Sequence, residues 1–305
     1  MSNASIGQVG GKPYVDKKND RVKGFGDELQ TSIDIIEATL RRALQSLNGE
    51  SRFTMRVPVA HDMDLDRVRE IRVNGGSVRV TCEAIVPINN DQVGAIAYFG
   101  GNRPERQTAY MTHVAEQACL NQAFAHEMRE HTLPDVCVIE CHAPGEGNWS
   151  DEDVEALVRI YEQAFSGYLV AFTHESVRGM LDGNLVAVVR HNGEIVSVVM
   201  AEIAELKTAG EVLRLAEISE VATSPQYHRR GFARMLYGVI VEHLRRAQIE
   251  VIFTEARANS VGIMVAARSA GLKPRGLLDQ HCVISSEFTD VSQDTEHGSL
   301  FVFSL

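Results

Sequence analysis

The chain has no run of about 18 consecutive apolar residues, so its sequence predicts no transmembrane helix. Its start carries no secretory leader pattern, and Met1-Ser2-Asn3-Ala4 reads as the remnant of an expression tag. It has no basic excess: 30 Lys and Arg stand against 41 Asp and Glu, a net charge of −11. A phosphate backbone needs a basic face, so a general nucleic-acid binder is excluded, whereas a cationic small partner fits. Cysteine is scarce, and an odd, scattered set of 5 reads as reduced thiols of a cytoplasmic protein. The HExxH spacing of a zinc helix is missing, because His126 and His131 are five apart and diverge around a helix. Cys137, Cys141 and His142 are too few and too far apart along a strand to close a zinc site. No metal site is expected, and no clear internal repeat is present.

What is there is ordinary for a globular protein: 44% hydrophobic and 23% charged residues. A length of 305 residues predicts two domains at about 150 residues each. The reading divides the chain into 1–20, a tag remnant and flexible lead-in; 21–133, an N-terminal α/β domain of unassigned role; and 134–305, a second α/β domain. Residues 5–26 are polar and glycine-rich and predict an irregular segment. Leu29, Ile33, Ile36, Leu40, Ala43 and Leu47 recur with a helical period, predicting a helix over Asp27–Leu47 that ends at Asn48-Gly49. Phe53, Met55 and Val57 alternate as a strand does. A short helix over Asp64–Ile71, strands over Val78–Ile85 and Val93–Tyr98, and a long helix over Thr108–His131 follow.

The second domain opens with a strand over Val136–His142. Ser150 then caps a helix, with Asp153 placed for a capping box. A second helix starts at Thr173 or His174. Strands over Leu185–Arg190 and Ile195–Ala204 are joined by His191-Asn192-Gly193, a hairpin signal. A central strand over Leu213–Ala222, a helix from Phe232, a strand over Val251–Glu255 and a helix over Ser260–Ala270 come next. The last two strands are expected at Val283–Ser285 and Ser299–Phe303.

Chemistry concentrates in Leu215–Leu236, LAEISEVATSPQYHRRGFARML. An apolar strand carrying Glu217 and Glu220 breaks at Ser224-Pro225, crosses a basic turn and enters a helix at Phe232. Unpaired N–H groups and the positive helix end make an anion site there, for which phosphate is the usual guest. Arg229, Arg230 and Arg234 add charge. Val221-Ala222, Pro225 and Arg229-Arg230-Gly231-Phe232-Ala233 resemble the pyrophosphate segment Q/R-x-x-G-x-G/A of the GNAT superfamily of N-acetyltransferases. His228 stands where that segment usually has Gln or Arg. The element order βααβββαβαββ over 134–305 is also that of the superfamily. The resemblance implies a C-terminal GNAT fold, a mixed central sheet flanked by helices, behind a smaller α/β N-terminal domain. Glu255-Ala256-Arg257-Ala258, Ser260, Gly262 and Gly271, with Glu217 and Ala222-Thr223, loosely resemble the β-lysine N-acetyltransferase branch, although the ending from Phe288 to Leu305 departs from it.

The resemblance implies acetyl-CoA as cosubstrate and no metal. Val221, Ala222 and Thr223 would pair with the pantetheine arm, and the amides from Arg229, Arg230, Gly231, Phe232, Ala233 and Arg234 would hold the pyrophosphate. The acceptor amine must lose a proton before it attacks a thioester. Glu217, fourteen residues before Gly231, resembles the general base of the histone-acetylating branch, with Glu220 as the alternative. On a regular strand the two face opposite sides, so only one enters a cleft unless a bulge intervenes. The tyrosine that many members use as acid is missing, since its position is Ala267; His281, Cys282 or water would then protonate the thiolate. The implied function is acetyl transfer to a small amino acid or amine, with a homodimer as the one assembly considered and no nucleic-acid or membrane partner expected. A CoA-binding sensor without turnover and a protein-lysine acetyltransferase are the alternatives.

Overall fold

A computed structural model describes residues 11–17, 19–26, 28–88, 93–106, 110–128, 132–165, 171–207, 212–283 and 297–305. Met1–Ala4, Asp27, Thr108, His131, Ser285 and Phe288 lie outside the described residues.

The N-terminal region begins with two antiparallel strands, β1 (Gly11–Asp16) and β2 (Arg21–Phe25), where an irregular segment was expected. Their polar and glycine-rich composition hid them, because they are held by pairing with the rest of the sheet. The helix α1 (Ile33–Leu44) then crosses to β3 (Arg52–Ala60), which runs parallel to β2. α1 starts six residues later than its periodicity predicts. Gln30 bridges to Val59 and holds the preceding chain as an extension of the sheet. Ser32 then caps the helix by accepting the Ile35 N–H. The helix α2 (Leu65–Glu70) and the strands β4 (Arg72–Gly75), β5 (Val78–Pro87) and β6 (Val93–Asn102) follow, and α3 (Tyr110–Ala125) closes the region.

From β7 (Cys137–His142) the elements keep the predicted order. They are α4 (Asp151–Ala164), α5 (His174–Gly183), β8 (Leu185–His191), β9 (Glu194–Lys207) and β10 (Val212–Thr223). Then come α6 (Phe232–Arg246), β11 (Val251–Arg257), α7 (Val261–Ser269), β12 (Lys273–Val283) and β13 (His297–Ser304). The reciprocal Ser150–Asp153 capping box is formed. Asn192 and Gly193 both take positive φ, as a tight hairpin requires. The penultimate strand spans 273–283 and ends where the sequence reading placed its start. It carries Lys-Pro-Arg-Gly at its start, a run that reads as a turn, and becomes a strand because β13 and β5 pair with it.

The strands of both regions form one sheet, ordered β1-β2-β3-β6-β5-β12-β13-β11-β10-β9-β8-β7, with β4 beside β5. One face of the C-terminal part packs under α6, α7 and α3 through Leu236, Ile240, Leu244, Met264, Cys119 and Phe303. The other face packs on α4 and α5 through Val154, Leu157, Tyr161 and Leu181. α1 and α2 cover β3 and its neighbours through Ile36, Leu40 and Val68. A fourth cluster belongs to both regions, joining Phe25, Val86, Ile96 and Tyr98 to Leu213, Leu215, Phe253, Leu278 and Val302. No described helix is long and apolar enough to cross a membrane.

The two regions meet in the sheet at Gly276, which pairs with Ala84. A Cβ at Gly276 would fall on the Glu83 carbonyl and the Ala84 backbone, neither of which can move aside freely. We expect Gly276→Val to lower stability by about 1–3 kcal/mol, the usual cost of forced overpacking. Urea unfolding would check this, and an unchanged midpoint would contradict the close approach.

Candidate active site

β10 and β11 run in parallel from Leu215 opposite Val251 to Ile218 opposite Thr254. Their recorded pairing ends there, and a cleft of about 1140 Å³ lies along β10 beyond it. The Thr254 hydroxyl donates to the Ile218 carbonyl at 2.8 Å where the strands part. The Tyr237 hydroxyl lies 3.1 Å from the same Thr254 oxygen, so with that proton committed the phenol is the donor.

All the residues singled out from the sequence line this cleft: Glu217, Glu220, Val221–Thr223 and Arg229–Arg234. Both glutamates line it, because the bulge that the sequence left open as an exception is present. β10 pairs Ser219 with Met200 but Ala222 with Val198, so one extra residue is inserted between them. The bulge places Glu220 at φ 46°. Ala216 and Ile218 pack under α6, while Leu213 and Leu215 face the other side with Glu217. After the bulge Ala222 joins the α4 side, where the charge of Glu220 acts on the Tyr161 phenol. Both carboxylates are buried yet line the cleft: Glu217 is 7% exposed and Glu220 is 8% exposed.

At the other end the chain turns through Arg229 at φ 59° and Gly231 at φ 79°. Left-handed residues ahead of a helix start are a backbone arrangement known to present N–H groups to anions. Met235 N–H bonds back to the Gly231 carbonyl at the start of α6. Arg230 lies over the Tyr227 ring at 4.9 Å, and Tyr227 reaches His191 at 3.0 Å. His228, the departure from the usual segment, folds back so that its Nε2 donates to the Thr223 carbonyl at 2.8 Å. It braces the turn and leaves the backbone cradle intact.

The sequence reading missed the groups that surround Glu217. Arg56 on β3 places both terminal nitrogens 3.4 Å from Glu217 Oε2 and grips Glu255 more tightly. Its guanidinium sits between the Tyr98 and Phe253 rings, at 5.1 and 5.2 Å. Burial pushes the Glu217 carboxyl up to about 8, only partly opposed by Arg56. Burial also acts on Glu255, but Arg56, Lys23 and Arg21 outweigh it and hold that carboxyl below its usual range. Lys23 is pulled down to about 8 by burial and by Arg56 and Arg21. A period-2 strand signal marks β3 but not the destination of its polar face, which is why Arg56 escaped notice.

The candidate acids fare differently. Burial first, and then Arg21 and Arg52, hold His281 well below its ordinary value, so its ring is neutral. Burial raises the Cys282 thiol, and it raises the Tyr237 phenol to about 12. Among the described residues no group of three or more His, Cys, Asp or Glu is gathered for a metal.

Residues 148–262 match the family described as an acetyltransferase (GNAT) domain. No curated protein matches the chain. Among solved structures, a conserved protein of unknown function from Enterococcus faecalis is 16% identical over 39% of this chain, with a TM-score of 0.33. The match spans only 29% of that protein's length. The ribosomal-protein-alanine N-acetyltransferase from Brucella melitensis is 20% identical, covering 55% of this chain and 98% of its own, with a TM-score of 0.43. Arabidopsis thaliana NAA60 in complex with acetyl-CoA is 14% identical, covering 55% and 97%, with a TM-score of 0.42. The similarity to the acetyltransferase (GNAT) family thus lies in residues 148–262 of a larger α/β chain.

Proposed function

We propose that the cleft transfers an acetyl group from acetyl-CoA to the amine of a small acceptor. The observation that carries this reading is the bulge in β10. It sets two buried carboxylates, Glu217 and Glu220, in a cleft whose other end is the left-handed turn at Arg229–Gly231. When bound, acetyl-CoA would supply a thioester carbonyl open to attack by an amine. The N–H groups of Arg229–Arg234 hold its pyrophosphate, helped by the cationic side chains of Arg229, Arg230 and Arg234. The backbone of Val221–Thr223 holds its arm.

Glu217 takes the proton that the acceptor amine must lose. Arg56 keeps that carboxylate ionisable in a site where burial alone would hold its proton still more firmly. The carbon–nitrogen bond forms as the carbon–sulfur bond breaks, and the thiolate is protonated by water. Tyr237 is too weak an acid for that step, and the neutral His281 ring is no better. Glu220, held by the Ser219 hydroxyl, is the alternative base and the second negative charge that attracts a cationic acceptor.

Residues 21–133 act as the acceptor-side wall of the 134–305 catalytic unit. Lys23 and Arg21 of β2 line the cleft, beside Asn19 just ahead of it. A cleft walled in this way favours a small acceptor over a protein lysine. The 5 cysteines are free thiols, which fits a cytoplasmic setting.

Gly231→Glu puts a side chain and a negative charge at a left-handed position of the cradle. CoA affinity by calorimetry should fall below detection; unchanged affinity would remove the cradle from the account. Turnover should rise between pH 7 and 9 as Glu217 loses its proton. Glu217→Gln should flatten that rise and lower kcat about a hundredfold. A full rate in this variant across the range would pass the role to Glu220. Arg56→Met removes the charge that lowers the Glu217 pKa, so the rise in the kcat profile should move to higher pH.

A further inference from the structure

The acceptor end of the cleft is built from cations and one unsatisfied donor. β2 alternates, so Val22 packs into the α1 core while Arg21, Lys23 and Phe25 face the other side, toward Glu217. Arg52 and Arg56 of β3 lie on the same side, and His281 of β12 joins them. Three of the arginines hold carboxylates from this chain. Arg21 holds Asp16 at 2.8 Å, Arg52 holds Glu83 at 2.5 Å, and Arg56 holds Glu255. Lys23 is 7% exposed and lines the cleft. Burial first, and then Arg56 and Arg21, lower its pKa to about 8, with Glu255 and Glu217 opposing them.

His281 supplies the independent observation. Its Nδ1 lies 3.3 Å from Arg52 Nη2. Arginine only donates, so Nδ1 accepts and the neutral ring must carry its proton on Nε2. That Nε2 is buried without a hydrogen-bond partner. The nearest carboxylate oxygen, Glu255 Oε2, is 3.7 Å away. His281 is 2% exposed and lines the cleft beside Lys23 and Glu217. A buried donor left unpaired is costly, and an arriving oxygen relieves it.

We propose that this end is a carboxylate subsite, in which the Lys23 ammonium and the His281 Nε2–H hold the acceptor's carboxylate while its amine lies at Glu217 and Glu220. The acceptor is then an amino acid and not a simple amine. This assignment rests on the acetyl-transfer reading of the cleft. A charge-assisted donor pair suits a carboxylate in a water-poor site. An acceptor lacking the carboxylate leaves the buried His281 Nε2–H unmatched, and a site built this way rejects such an analogue strongly. Arg21 does not need to touch the ligand. Asp16 and the His281 carbonyl fix it, and it adds to the positive potential.

The test compares acceptors with their decarboxylated partners on the full chain: β-alanine with ethylamine, 4-aminobutyrate with propylamine, and L-lysine with cadaverine. Binding is measured by calorimetry with CoA present, and turnover as thiol release from acetyl-CoA. At least one amino acid should bind, and be used, about a hundredfold or more better than its partner. Lys23→Met should bring that ratio towards one, and Lys23→Arg should restore part of it. Amines used as well as amino acids, a ratio unmoved in the folded Lys23→Met protein, or no binding by any carboxylate would each overturn the subsite. Carboxylate-dependent binding without thiol release would keep the subsite and sink the acetyl-transfer reading. Thiol release without carboxylate preference would do the reverse.

Discussion

Arg56 is the residue on which the rest of the site depends. Its guanidinium is 3% exposed, lies between two aromatic rings and reaches two carboxylates on neighbouring C-terminal strands. A buried charge of this kind is tolerable only when its partners surround it. The N-terminal sheet, the central strand and β11 are therefore committed to one relative position. The same contact sets the chemistry of Glu217, because the cation beside it opposes the burial that drives its proton affinity up. The two carboxylates share Arg56 unequally, and the more tightly held Glu255 stays ionised while Glu217 retains a proton near neutrality.

Two local distortions then give the cleft its polarity. The inserted residue at the β10 bulge lets Glu220 line the same cleft as Glu217, which a regular pleat forbids. The left-handed pair at Arg229 and Gly231 stands ahead of α6, a backbone arrangement known to present N–H groups to anions. Two carboxyl groups, of which Glu217 holds its proton near neutrality, therefore sit in the middle of the cleft, and arginines at the turn before α6. Beyond Glu217, at the end walled by β2 and β12, positive charge returns. A ligand with a phosphate-rich tail, a reactive centre and a zwitterionic acceptor would meet complementary charge at each station.

The two regions contribute different parts of that pattern. The residues proposed to hold acetyl-CoA come from β10, the turn that follows it and the start of α6. Lys23 and Arg56 come from strands before residue 61, and His281 comes from β12, which pairs with both regions. The shared cluster around Phe25, Tyr98, Leu215 and Phe253 makes the acceptor wall inseparable from the core.

The local elements and the glycine turn before α6 were legible in the sequence because they depend on near neighbours. Ser150 and Asp153 are three residues apart, Asn192 and Gly193 are adjacent, and the turn before Phe232 carries its own glycine. Helical and strand periods placed most of the C-terminal elements for the same reason. Tertiary structure alone decided the rest. β2 and β12 are strands because distant partners share their backbone bonds, and β1 because β2 does, not because their composition favours extension. The alternation in β3 showed an apolar face and a polar one, yet both are buried, and the polar one meets Glu217 161 residues away in the chain. No spacing records such a meeting. Short-range hydrogen bonding and side-chain period are written along the chain, whereas the dielectric and charge around Glu217, and hence its proton affinity, exist only once remote strands have packed.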